Sequence, residues 1–130
     1  MNQISTFTVV LPLPDRKLSP NMMIASIGMR KAKAAAVKKY KAQACYKADE
    51  AQGRARPVCW PATRVDVVWY DKQQRNRDED NARGSLKSAM DGIAFSMGVN
   101  DSTFRAGTFE IRFDKDRPRV EITMHRRESI

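Results

Sequence analysis

Apolar residues that alternate one on, one off place the tightest limit on how this chain can fold. Val65, Val67 and Trp69 share one face of an extended segment, Thr63–Tyr70; Phe109, Ile111 and Phe113 share another, and Val120, Ile122 and Met124 a third. A period of two belongs to half-buried strands. Phe7–Leu13 is apolar, rich in β formers and stopped by Pro14, so it reads as a further strand at the start. Helical spacing fills the intervals. Ala36, Tyr40, Ala44 and Ala48 recur every four residues within Arg30–Ala51, with Lys31, Lys38 and Lys41 on another face. Leu86, Met90, Ile93 or Ala94, and Met97 repeat the pattern until Gly98 ends it. The order β-α-β-α-β-β predicts an α/β fold: one mixed sheet packed against two helices, closed by a C-terminal antiparallel hairpin that turns through 114–118. At 130 residues, without repeats or a low-complexity linker, the chain suits a single domain spanning 1–130.

The chain carries 24 Lys and Arg against 15 Asp and Glu, a net charge of +9, which favours polyanionic partners. No apolar run approaches bilayer length, so no membrane partner is expected. The opening residues lack a basic segment followed by an apolar one, and Cys45 and Cys59 fit no Cys-x-x-Cys motif. Reduced thiols and a cytoplasmic location are the expectation.

Against that positive background, Arg75-Asn76-Arg77-Asp78-Glu79-Asp80-Asn81 concentrates acids where a nucleic acid would be repelled. The conflict disappears if the carboxylates hold a divalent cation at a phosphate, the charge arrangement of a metal-dependent nuclease. In extended backbone Asp78 and Asp80 point to the same side. Asp80 or Asn81 serving as a helix cap is the competing structural explanation. Lys87 and Asp91, four apart, share a helix face, and Asp101 follows in the turn Gly98-Val99-Asn100-Asp101-Ser102. The lone His125 lies far from this segment, so His/Cys ligation of Zn²⁺ has little support.

Leu11-Pro12-Leu13-Pro14, Asp78-Glu79-Asp80-Asn81, Lys87-Ser88-Ala89-Met90-Asp91-Gly92-Ile93 and Gly98-Val99-Asn100-Asp101 together resemble the RusA-type Holliday junction resolvases. The specific part of the likeness runs from Asp78 to Asp101. It implies a bacterial or phage-encoded homodimer that binds four-way DNA junctions and makes paired symmetric nicks with Mg²⁺, Mn²⁺ being a substitute ion, in recombination and repair. It further implies Asp78, Asp80 and Asp101 as metal ligands and catalytic acids, Lys87 as the catalytic cation, and Asp91, Asn81 and Asn100 as supporting residues. Arg77 matches a basic position that helps hold phosphate; Arg75, Arg83, Arg16 and Lys17 extend that basic surface.

Two departures stand out. Ala82-Arg83-Gly84 is an insertion between the acids and Lys87, which makes Arg83 an alternative catalytic cation. Asn100 stands where the family has an acid. Other branched or flap DNA as substrate, a non-catalytic basic binding module, and an inactive homologue are the competing readings.

Overall fold

The computed structural model describes residues 3–22, 24–74 and 76–129. Four strands and three α-helices follow in the order β1 (Thr6–Leu11), α1 (Ile27–Gln52), β2 (Ala62–Asp71), α2 (Glu79–Ser85), α3 (Lys87–Met97), β3 (Phe104–Phe113) and β4 (Arg119–Arg127). They form one mixed α/β domain around a four-stranded sheet of order β1-β4-β2-β3.

The alternating residues point as their period requires. Phe7, Val9 and Leu11, Val65, Val67 and Trp69, and Val120, Ile122 and Met124 are buried on the face that meets the helices. Trp60 packs against Phe7, and both tryptophans are core residues. Helix α1 starts on Ser26, whose hydroxyl accepts from the Met29 N–H, and buries Tyr40, Ala44, Ala48 and Gln52 along one line. The Tyr40 hydroxyl donates to the Pro12 carbonyl, pinning the helix to the end of β1; burial pushes that hydroxyl far above its ordinary pKa. Helix α3 ends on Gly98, whose φ of 71° is the left-handed geometry glycine tolerates best.

The predicted C-terminal hairpin does not form. β3 pairs with β2 in parallel, β4 pairs antiparallel with β2 and with β1, and β2 therefore lies between the last two strands. The 114–118 loop passes over the end of β2, where the Asp114 N–H donates to the Asp71 carbonyl. Straddling one strand means covering about 10 Å, twice the ordinary strand spacing, which five residues can do.

The second helix is also in two pieces. Gly84 weakens the helix, and the Ser85 hydroxyl donates to the Ala82 carbonyl at 2.6 Å, competing with the helical ladder. Leu86 (φ −95°, ψ 3°) then separates α2 from α3. Ala82, Arg83 and Gly84 all lie within α2, and Lys87 opens α3.

On the face of the sheet away from the helices, a bulge displaces β3 between Ala106 and Phe109. Asp66 stabilises it by accepting from the Thr108 N–H at 2.8 Å and from Arg64, and its other oxygen lies 3.0 Å from His125. Partial burial alone pushes the Asp66 carboxyl up; the Thr108 N–H, the Arg64 guanidinium and His125 outweigh it and hold the carboxyl below its ordinary value. A lowered folded pKa contributes stability above the unfolded value of about 3.9 and loses it as pH falls through the folded pKa. Asp66→Asn is thus expected to be less stable than the parent near pH 7, with the gap narrowing below pH ~4. Urea unfolding at several pH values checks this, and a gap independent of pH contradicts it.

Candidate functional site

Every motif residue from Asp78 to Asp101 falls in the crossover between β2 and β3. Asp78 caps α2: its carboxylate accepts from the Asn81 N–H at 3.2 Å. The cap is therefore Asp78, not Asp80 or Asn81. Asp80 sits in the first turn of α2, so the extended geometry expected to put both carboxylates on one side is not present. The Asn81 side-chain carbonyl accepts from the Ser19 hydroxyl at 2.8 Å. Pro20 also packs on Gly84, where any Cβ would collide with its ring. These two contacts hold the 3₁₀ turn of Arg16 and Lys17 alongside α2. Arg16 is exposed, and Lys17 pairs loosely with Asp15 at 3.6 Å.

Lys87 is the hub of the site. Its amine lies 3.7 Å from Asp91 and 3.8 Å from Asp101, so one exposed cation joins carboxylates from α3 and from the 3₁₀ turn after it. Asn100 caps that turn, its side-chain carbonyl accepting from the Ser102 N–H at 2.9 Å. Its oxygen has a structural use here.

Arg83 bonds Glu79 at 3.1 Å and spreads its guanidinium 4.6 Å above the Phe109 ring. Arg77 turns inward. It bonds the buried Asp71 at 2.6 Å and lies 5.0 Å over Trp69, so much of this side chain serves the fold. The expectation for Arg75 lies outside the described residues.

Arg83 and Lys87 also border a cleft of about 270 Å³ between the α2–α3 arm and strands β2 and β3, with Asp101, Phe104 and Arg105 among its lining residues. Arg105 and Phe104 were not singled out from the sequence. An arginine one residue into a strand gives no sign of which neighbouring element it will face.

The carboxylates suit a hard divalent cation by chemistry, and Mg²⁺ commonly needs only one or two of them when substrate phosphate and water complete its shell. A pre-assembled three-aspartate cage does not fit: among the described residues no three His, Cys, Asp or Glu side chains gather to hold an ion. Among the described residues, no helix is long and apolar enough to cross a membrane.

No family model matches the chain, and no curated protein matches it. Among solved structures, IspF of Plasmodium falciparum in a CDP complex is 9% identical, the match covering 95% of this chain and 94% of that one at a TM-score of 0.34. So slight a likeness carries no argument.

Proposed function

We propose that this chain is a RusA-type structure-selective endonuclease that resolves four-way DNA junctions as a homodimer in the cytoplasm. The observation that supports it most is the Lys87 hub. Lys87, Asp91 and Asp101, separated in sequence, meet in one cluster within a basic chain. Helix α1 adds Arg30, Lys31, Lys33, Lys38, Lys39, Lys41 and Lys47 before its first acid, Asp49, a stretch suited to tracking phosphates. A twofold dimer would offer two such sites to the twofold-related arms of a junction.

In this reading Asp78, Asp80 and Asp101 are the residues that would hold Mg²⁺, and because they do not gather on their own, substrate phosphate would have to complete the site. The ion would supply an activated water and charge neutralisation. Lys87 leaves its carboxylate partners for the scissile phosphate and stabilises the negative charge that builds there. Asp91 keeps the amine in position until then. Arg83, anchored over Phe109, binds a flanking phosphate.

Substitution at Lys87 tests this cleanly. The side chain is 75% exposed and its ion pairs are long, so Lys87→Ala should leave thermal stability nearly unchanged. Cleavage of a synthetic junction should slow by about 100-fold or more, the scale for losing one preorganised charge-stabilising group. Arg83→Ala should weaken binding more than it slows the chemical step. If Arg83→Ala alone stops cleavage and Lys87→Ala does not, the inserted arginine has taken over the role and the Lys87 assignment is wrong.

A further inference from the structure

Strand β3 ends the sheet, and among the described residues no strand lies beyond it. Its outer N–H and C=O groups are left to solvent or to a partner. The opposite edge is finished differently. On β1 the inward row of Phe7, Val9 and Leu11 is buried under the helices. On β3 the inward row stays open: Phe109 and Ile111 are half-buried, and Phe113 is 48% exposed. Proteins guard an unpaired edge with Lys, Pro or a bulge. The bulge between Ala106 and Phe109 guards the first half of β3, and the stretch 109–113 carries none of the three.

The sequence of that stretch selects the strand that fits it. Phe109-Glu110-Ile111-Arg112-Phe113 complements itself when laid antiparallel on a second copy about a twofold axis at Ile111. Phe109 then faces Phe113 of the other copy, Ile111 faces its own equivalent, and Glu110 faces Arg112. Aromatic pairs and opposite charges are the cross-strand contacts that stabilise sheets. Glu110 and Arg112 are exposed and already bond one another within the chain, so their groups attract at this surface. A slip of one residue would set both charges against apolar neighbours and turn the two helix layers to opposite sides.

We propose that residues 109–113 of β3 pair antiparallel with the same residues of a second copy, joining two four-stranded sheets into one. The proposal rests on the homodimer of the nuclease reading for its functional meaning, and it names the surface that makes that dimer. Each Phe113 is covered by Phe109 of the other copy, which closes the open apolar row. The twofold axis stands perpendicular to the joined sheet. Both helix layers, and with them both Lys87 clusters on α3, therefore lie on one side. DNA with twofold-related arms can reach both sites from that side at once.

Sedimentation of the full chain over a range of concentrations, without DNA or divalent ion, tests the pairing. The parent should move from monomer to dimer as concentration rises. Glu110→Arg and Arg112→Glu each place two like-charge pairs across the axis and should weaken the dimer about tenfold or more. The double exchange, Glu110→Arg with Arg112→Glu, restores opposite charges and should recover most of that loss. Both positions are exposed, so circular dichroism and Tm should match the parent in all three variants. Should a charge variant misfold, Phe113→Ser removes the aromatic contact at an exposed position and must weaken the dimer in its place. A parent that stays monomeric, a dimer that ignores these changes, or single losses that the exchange does not recover overturn the interface. None of those results bears on whether the chain nicks a junction. A chain that dimerises as described but never cuts DNA removes the nuclease reading and leaves the strand pairing standing.

Discussion

Asp80→Asn is expected to abolish Mg²⁺-dependent cleavage of a four-way junction, by a factor above about 100, while junction binding stays equal or becomes tighter. The side chain is exposed in the first turn of α2 and makes no hydrogen bond or ion pair with another described residue. Asparagine keeps its size and removes its charge. Stability should fall only by the attraction of one carboxylate for a helix N-terminus, about 0.5 kcal/mol. One repulsion toward phosphate disappears as well, which is why binding should not suffer. Asp78→Ala is a poorer probe, because it also removes the α2 cap and costs about 1 kcal/mol. Gel assays of binding and cutting on the same junction check the prediction, and retained cutting by Asp80→Asn removes Asp80 from the reaction.

Gly92→Ala should damage the fold more than any exposed substitution. Helix α3 crosses α1 at this glycine so closely that a Cβ would run into the Lys41 carbonyl and sit 3.1 Å from the Cys45 nitrogen. Those obstacles are backbone atoms, which cannot rotate aside, so the helices must separate. Overpacking of this kind costs about 3 kcal/mol, or about 10 °C or more in Tm. Lys87 and Asp91 ride on α3, so cleavage should fall with the packing. Gly28→Ala is the control. Its added methyl meets only the Ser26 hydroxyl at 3.7 Å, and stability should hold or rise by up to about 1 kcal/mol. Equal Tm for parent and Gly92→Ala contradicts the tight crossing.

The sequence carried the elements better than their arrangement. Alternation in Val65–Trp69 and Val120–Met124 identified which residues face inward, and Gly98 marked the end of α3. Alternation says nothing about which strand is the neighbour, and so the insertion of β2 between β3 and β4 was not legible. The break at Leu86 depends on a hydroxyl competing for one carbonyl, a contest too local for periodicity to register. At the site, spacing correctly placed Lys87 and Asp91 on one helix face, and the structure adds Asp101 to them. Spacing failed at Asp78 and Asp80, where a helix starts one residue too early for the pair to be extended. Nor does spacing announce the partner of Arg77, Asp71, which is buried at the end of β2.

The central claim is that this site cuts branched DNA. Its most direct test is a nicking assay with Mg²⁺ on three substrates of matched sequence: a four-way junction, a flap and a linear duplex. The account predicts paired nicks at symmetric positions on the junction, little cutting of the duplex, and no cutting once the ion is chelated. Junction binding with no cleavage in Mg²⁺ or Mn²⁺, or equal cutting of the linear duplex, would contradict it.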